Sequence, residues 1–578
     1  MKLKKYILGV FIASTALTSC EIDRFPYSSV ANDEVVSSPD YLRNTINGTY
    51  GYMKGTLSES WINGAHRLME YKGDNVSLSG TTSDPMYYMY SYQRIDDGWR
   101  SNDFWVRSYR TIAACNNIFE NAPEGESASD DHYLGEAYFL RAMMHFYLVN
   151  VYGFPYNNGR DNLGVPLKLK SDRNDIPDRS TVGQVYDQVI KDLEKAISLM
   201  KEEEETSVKE PFYATVNGAR GLLSRVYLYM NENEKALVYA DSVINSGDYS
   251  LLNAAQFRKM NTLTPETNSE AVFSIRYVTD LDEGDQNEGV GGFYASIDNA
   301  GWGEMYASST YVSMVNYFPN DARQAFIQYV YDNAVTAKEG LWVRHETQKD
   351  GFSKPVYKSG VYSDVNGKET LLTQEKIGTN PDGTAIMQNR TIEIHKRIGT
   401  GGAEEYYFNE GTGDTIVRLG KTMVKRNGYP KIYVLKCSQQ DGKIHSWSPS
   451  IVRLAEIYLN KAEALYKLNR GGEALVVLNA LRAQRDIPAF DGTAATGRGK
   501  TDLLDVILDE RRLELAYEGH RSFDVFRNKK SLNRDYPGGH AMNKNSIVTI
   551  DWDDNNIIEL IPLTQIKAQG AGLVQNPL

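Results

Sequence analysis

"LNKAEALYKLNRGGEALVVLNALR", residues 459–482, holds two apolar helical patterns broken by a short polar turn. Ala462, Leu465, Ala474, Leu478 and Leu481 are spaced 3, 9, 4 and 3 residues apart. Intervals of three and four keep side chains on one face of a helix, and the interval of nine carries the chain through the turn. A second stretch, "GLLSRVYLYMNENEKALVYADSVI" (221–244), repeats the pattern with Ser224, Tyr227, Ala236, Ala240 and Val243. Small residues where two antiparallel helices touch, with equal turns, match the packing of tetratricopeptide repeats. Chance likeness of two hairpins is the alternative; the shared turn length favours the repeat.

Working outward, three regions read as helical: about 104–152, 182–246 and 448–526. In "EAYFLRAMMHFYLVNVYG" (136–153), Ala137, Leu140, Met144, Tyr147, Leu148 and Val151 hold a helical apolar face that stops at Gly153 before Pro155. Residues from about 250 to 447 are rich in Gly, Asn, Asp and Thr, with alternating runs such as "TIEIHKRI" and "KIYVLK". They predict loops and short strands. The tail, 530–578, reads as irregular apart from a short extended run at Ile557–Ile561. The fold class expected is mainly α: helical hairpins as a scaffold, with a loop-rich part inserted.

The chain begins MKLKK, followed by an apolar run from Tyr6 to Ala16. That run is too short for a bilayer span of roughly 20 residues and suits a signal peptide over residues 1–19. Leu17-Thr18-Ser19-Cys20 resembles a bacterial lipobox, which makes Cys20 the lipidated first residue of a body spanning 20–578. An ordinary signal peptide with an accidental cysteine is the alternative reading. Lipid chains hold a protein at a membrane without a transmembrane helix. Glu21 and Asp23 resemble a surface-export signal. The other cysteines, Cys115 and Cys437, read as buried free thiols, although spacing cannot settle whether they pair.

A net charge of −12 over 578 residues argues against a nucleic-acid footprint, which needs a basic face. The chain carries 39 tyrosines, 18 phenylalanines and 7 tryptophans, rings that suit the apolar faces and polar rims of sugars. No G-x-S-x-G, H-E-x-x-H or P-loop is present. "ILDERRLELAYEGHRSFDVFR" (507–527) places Glu514, Glu518, Arg521, Asp524 and Arg527 at helical spacings. A catalytic reading is open to them, but a salt-bridge network fixing this segment to its neighbours explains them better. His145 lies on an apolar face and reads as a satisfied core residue. "DEGDQNE" (282–288) lacks the full calcium-loop pattern and reads as a solvated acidic loop.

At this point the chain resembles the SusD/RagB family of outer-membrane nutrient-binding lipoproteins. The lipobox, "EAYFLRAMMHFYLVNVYGFPY" (136–156), "SPSIVRLAEIYLNKAEALYKL" (448–468), the 507–527 signature and the ending "IPLTQIKAQGAGLVQNPL" (561–578) carry the likeness in order along nearly the whole chain. The resemblance implies about four TPR-like hairpins facing a SusC-like TonB-dependent transporter, on which the lipoprotein sits like a lid. It implies a non-enzymatic role at the outer membrane, facing the exterior. The ligand implied is a glycan, with peptide capture in the RagB branch as the alternative and a surface glycan-active enzyme a more distant one. It implies no cofactor, and leaves room for a structural calcium ion.

Family ligand contacts come from loops near 84–105 and 291–312. In the first, Tyr88, Tyr90 and Trp99 offer rings, with Arg100 and Asn102 placed to hydrogen-bond hydroxyls; Trp105 is assigned to the core. In the second, Tyr294, Trp302 and Tyr306 lie among glycines that let the chain turn sharply. Trp99 and Trp302 are the preferred platforms.

Overall fold

The computed structural model describes residues 41–54, 60–80, 84, 86–200, 210–278, 289–348, 350–411 and 413–578. The signal peptide, Cys20 and the acidic run 282–288 lie outside the described residues.

The scaffold is built from α1 (Tyr41–Lys54), α2 (Trp61–Glu70), α3 (Met86–Ser91), α4 (Trp99–Asn121), α5 (Ala128–Tyr152), α6 (Val182–Leu199), α7 (Val216–Tyr229), α8 (Asn233–Ile244), α9 (Leu454–Lys467), α10 (Gly471–Ala483), α11 (Leu503–Glu514), α12 (Arg521–Arg527) and α13 (Leu563–Gln569). From α4 to α9 each helix packs on the next, and α9 then packs on α10 and α11. The chain leaves this stack after α8 and returns some two hundred residues later to continue it.

The two hairpins read from sequence are α7–α8 and α9–α10, and their turns are alike. Asn231 and Asn469 both adopt left-handed φ, +63° and +61°. Asn231 N–H donates to Leu228 O and Glu232 N–H to Tyr227 O; Asn469 N–H donates to Tyr466 O and Arg470 N–H to Leu465 O. Each pattern closes the helix C-terminus by satisfying orphan carbonyls. Ser224, Ala236, Ala240, Ala462 and Ala474 are fully buried, so the helices meet at small residues as the spacing predicts. The hairpins also touch each other. Asn460 Nδ2 donates to Ser224 Oγ (2.9 Å), and Arg225 pairs with Glu456 at 2.6 Å.

Besides short paired segments elsewhere, the strands that frame the scaffold and its insertion are β1 (Val76–Leu78), β2 (Ala271–Ser274), β3 (Met305–Ala307), β4 (Lys338–Thr347), β5 (Ser353–Val365), β6 (Lys368–Thr379), β7 (Ala385–Glu393), β8 (His395–Ile398), β9 (Glu404–Asn409), β10 (Asp414–Lys421) and β11 (Ser450–Arg453). β1 pairs with β3, and β2 with β11. β4 to β10 form one antiparallel sheet in the order β7-β6-β5-β4-β10-β9-β8. Its middle strands are longer than the sequence reading anticipates. The turn between β5 and β6 is Asn366-Gly367, both at positive φ (54° and 79°), the conformation that continues a two-residue hairpin.

The outermost strands, β7 and β8, are separated by Ile394 alone. In a flat sheet the edges of seven strands would stand about 29 Å apart. One intervening residue bridges at most about 7 Å. The sheet therefore rolls onto itself as a small barrel over residues 338–421. Trp342, Leu371, Ile392, Ile394, Phe408 and Val417 form its interior, separate from the main core.

The 507–527 signature is a buried ionic clamp. Arg453 reaches Glu514 (2.8 Å), Glu518 (2.8 Å) and Glu270 (3.0 Å); Arg485 reaches Glu514 (2.9 Å) and Glu270 (2.8 Å). Arg521 holds Asp74 (2.8 Å), and Arg527 joins Asp524 (2.6 Å) to Glu463 (2.5 Å). Burial alone would raise the Glu518 carboxyl, but Arg453 and Lys436 outweigh it and hold it at about 2. The clamp ties α11 and α12 to β11, α9, α10 and the segment before β1. These acids fix the segment to its neighbours, as expected, although not through helical spacing: the helix breaks at 515–520, where Tyr517 and Gly519 have positive φ. Cys115 and Cys437 are buried free thiols, and His145 is buried with Nδ1 at 3.1 Å from Arg141 O.

Candidate ligand-binding face

Of seven tryptophans, Trp99 and Trp302 are exposed, at 44% and 55%; the other five are buried or half-buried. Tyr52, at 47% on α1, is a third exposed ring that the sequence reading did not single out.

Trp99 is not on a loop. It opens α4, directly after the N-cap Gly98. Its ring lies on the Arg100 guanidinium, whose carbon is 3.5 Å from the ring centroid. Arg100 is 4% exposed and pairs with Asp84 at 3.6 Å. Arg100 therefore braces the ring from beneath, and its assignment as a hydroxyl-binding side chain is corrected. Asn102, one turn on, is half-buried and accepts from Thr564 Oγ1 (2.6 Å) and Gln565 Nε2 (2.9 Å) through Oδ1. It fastens α4 to α13.

Trp302 stands on a loop whose backbone requires glycine. Gly301 and Gly303 adopt φ of +90° and +52°, and Asp298 and Asn299 are also left-handed. A Cβ on Gly301 would collide with Ala295 O and come within 2.5 Å of His445 Nε2. Trp302 N–H and Gly303 N–H both donate to Gly292 O, at 2.7 and 2.9 Å. The left-handed backbone and these bonds hold the loop in place, and the indole faces water.

Three predicted platforms are corrected. Tyr90 is fully buried, its hydroxyl 2.5 Å from His540 Nδ1, because its side of α3 faces the core. Tyr294 is fully buried, with its hydroxyl 2.8 Å from His66 Nε2. Tyr306 lies in β3, 2% exposed, against Tyr433. None presents a ring face to solvent. Tyr88 is half-buried beside Tyr87, and Trp105 is core as expected.

α2 packs against α4 and against Phe293, which lies shortly before the Trp302 loop. Gly64 of α2 sits so close to α4 that a Cβ would lie 3.0 Å from Phe104 Cβ. Arg67, also on α2, has its guanidinium 4.3 Å from the Phe293 ring centroid, and Phe293 O accepts the Glu304 N–H. The helix that packs on α4 thus also packs on the residue whose carbonyl holds Glu304, two residues after Trp302.

Sequence reasoning missed two polar groups beside Trp302. Arg426 donates through one terminal nitrogen to Trp302 O (3.2 Å) and through the other to the Glu304 carboxylate. The signal was the Asn427-Gly428 pair, a hairpin turn that points to an ordered rim; both residues have positive φ. Among the described residues, no cluster of three or more His, Cys, Asp or Glu is placed to hold a metal ion, and no helix is long and apolar enough to cross a membrane.

A stacked helical-repeat scaffold that displays exposed aromatic rings has the geometry of a ligand-binding protein, and comparison with known proteins gives it a family. Residues 22–228 match a SusD-like profile described as starch-binding associating with outer membrane, and residues 269–578 match the SusD family profile. The chain belongs to the SusD/RagB family, whose members are outer-membrane associated. It is 25% and 23% identical to two SusD-like proteins of Formosa agariphila, over 90% and 91% of this chain and 91% of each relative. A SusD superfamily protein from Bacteroides thetaiotaomicron superposes with a TM-score of 0.68 at 23% identity, covering 93% of this chain and 99% of that one. A Bacteroides vulgatus protein titled a putative sugar binding protein gives 0.65 at 22%, covering 93% and 98%.

Proposed function

We propose that the protein is a cell-surface lipoprotein, anchored through Cys20, that captures oligo- or polysaccharide and passes it to a SusC-like TonB-dependent transporter. The observation that carries this reading is the exposure of Trp99 and Trp302 on braced backbone. Fully burying a large apolar side chain is worth roughly 1.5–3 kcal/mol, so leaving two in water forfeits stabilisation that a ligand can recover. A pyranose face is flat and apolar enough to stack on an indole, and its hydroxyls suit the polar groups around it. The starch-binding description of the matched profile and the similarity to a putative sugar binding protein of Bacteroides vulgatus support a sugar ligand. The buried signature acids are each held by arginine, which suits a structural role better than acid–base chemistry.

The test is affinity electrophoresis of the chain from residue 21 against a polysaccharide panel. Retardation by one glycan names the ligand class. Trp302→Ala should then weaken binding at least tenfold, about 1.4 kcal/mol. Unchanged affinity in calorimetry would remove Trp302 from the site. Retardation by none, with binding of oligopeptides, would replace the glycan reading with peptide capture.

A further inference from the structure

Resting on that reading, we infer that Arg426 and Glu304 form the polar half of the Trp302 site, and that this site selects uncharged sugars. Arg426 is 39% exposed at its side chain and Glu304 15%, so both reach solvent at the foot of an indole that is itself exposed. The guanidinium has five N–H bonds in a fixed plane. One terminal nitrogen holds the carbonyl of Trp302 and the other the Glu304 carboxylate. Each of those nitrogens carries a second N–H, and the carboxylate has a second oxygen. The pair therefore sets donors and an acceptor side by side. That suits two neighbouring hydroxyls of one sugar ring, one accepting from arginine and one donating to glutamate.

The charge balance decides the class. Arg426 already faces a carboxylate, so the pair is neutral as a unit. A uronate or sulfate brought to Arg426 would also approach Glu304, and like charges close together repel. An uncharged ring meets no such penalty.

The pair is held rigidly, which a specificity element requires. Arg426 sits on a two-residue hairpin turned by Asn427 and Gly428. Asn427 Nδ2 donates to Ser79 O (3.1 Å), tying the turn to the scaffold. Lys425 reaches Glu339 (2.8 Å) and Ser359 (2.9 Å), tying it to the barrel. Tyr429 packs edge-on to Tyr357 of β5. The barrel thus serves as a buttress for the rim of the site.

The experiment uses the purified protein with amylopectin and galactomannan as neutral probes, and polygalacturonate and alginate as anionic ones. A neutral glycan should bind with an affinity insensitive to added salt, and the anionic ones should not be retarded. Arg426→Ala should weaken that binding about tenfold, the scale of a hydrogen bond to a charged group. Arg426→Lys, which keeps the charge but loses the planar fork, should weaken it as well. Glu304→Gln removes the repulsion and should let polygalacturonate bind. Far-ultraviolet circular dichroism of each variant separates lost binding from lost fold. A wild-type preference for polygalacturonate or alginate would overturn the inference. So would full affinity in both Arg426 variants while Trp302→Ala fails to bind; the glycan reading would then survive without it. No retardation of the wild type by any probe, with binding of oligopeptides, would remove the glycan reading and this inference together.

Discussion

Arginine and glutamate pair in two regions of this chain at similar distances and in opposite surroundings. In the signature, Arg453 and Arg485 hold Glu270 and Glu514 at 2.8–3.0 Å, and no side chain among them is more than 2% exposed. On the barrel, Glu375 is held by Arg344 at 2.7 Å and by Arg390 at 2.6 Å, and Arg390 also reaches Glu410, with side chains 27–42% exposed. The bond lengths do not distinguish them. Water does: an ion pair in high dielectric recovers little beyond what solvent gave each charge alone, whereas a buried charge that loses its partner has nothing to replace it. The same two residue types are a fastening in one place and a solvated surface in the other.

The largest expected effect comes from breaking the first region. Glu514→Ala leaves Arg453 and Arg485 facing each other with only Glu270 and Glu518 to compensate. Removing one partner of a buried pair costs about 3–5 kcal/mol. Denaturant unfolding should show a loss on that scale, or the variant should fail to accumulate as folded protein. A loss below about 1 kcal/mol would erase the distinction between the regions.

The buried region was also the legible one. The periods of 221–244 and 459–482 gave the hairpins, because small residues at helix contacts recur at fixed spacing. The 507–527 signature suggested a network to neighbouring segments, but its helical spacing did not produce it: the helix breaks at 515–520, where Tyr517 and Gly519 take positive φ, and Glu514 and Glu518 are held by Arg453, Arg485 and Lys436 from distant segments. The binding face was half legible. Trp99 and Trp302 were readable as rings beside turn-forming residues, and both are exposed. Tyr90, Tyr294 and Tyr306 were not separable from them, since burial depends on which side of a short helix or strand meets a core formed by distant segments. Arg426 was hidden for the same reason: it lies 122 residues from Glu304 in sequence, and only the fold brings the two together. The rolling of the sheet was hidden because strand order, not strand composition, produces it.

Titration sharpens the contrast from the buried side. Glu70 is fully buried, accepting from Gly519 N–H (2.9 Å) and from Asn75, and burial raises its carboxyl from 4.5 to about 7. A raised folded value gives stability that is present below pH 4.5 and lost as pH rises through about 7. Five buried histidines pull the other way. Burial lowers His66 and His145 to about 3, His520 to about 4, His540 well below 6.5, and His445 below 6.5 as well. Their contribution is present above pH 6.5 and lost on acidification, as is that of Glu518 and Asp74, both held near 2. Thermal midpoints across pH should therefore fall steeply below pH 6.5. Glu70 shows only as a difference: Glu70→Gln should gain on the wild type between pH 4.5 and about 7, by no more than about 1.4 kcal/mol per pH unit, and no further above that. Parallel curves for the two proteins would mean that Glu70 is charged in the fold throughout.

The smallest effect belongs to the barrel surface, and it tests the comparison most directly. Arg390 makes two ion pairs, with Glu375 and Glu410, so by bond count its loss should rival that of Arg485. Its exposure predicts otherwise. Arg390→Ala should cost about 0–1 kcal/mol in denaturant midpoint, and added salt should shrink that cost because these charges are screened. A double-mutant cycle of Arg390 with Glu375 should give a coupling of similar size, since the side chains are partly ordered by each other rather than by a core. The barrel interior around Trp342 and Leu371 is untouched by the change, so the variant keeps its fold and the measurement isolates the charges. A cost near that of Glu514→Ala, unresponsive to salt, would mean that the number of partners, and not the water around them, sets the strength of these pairs.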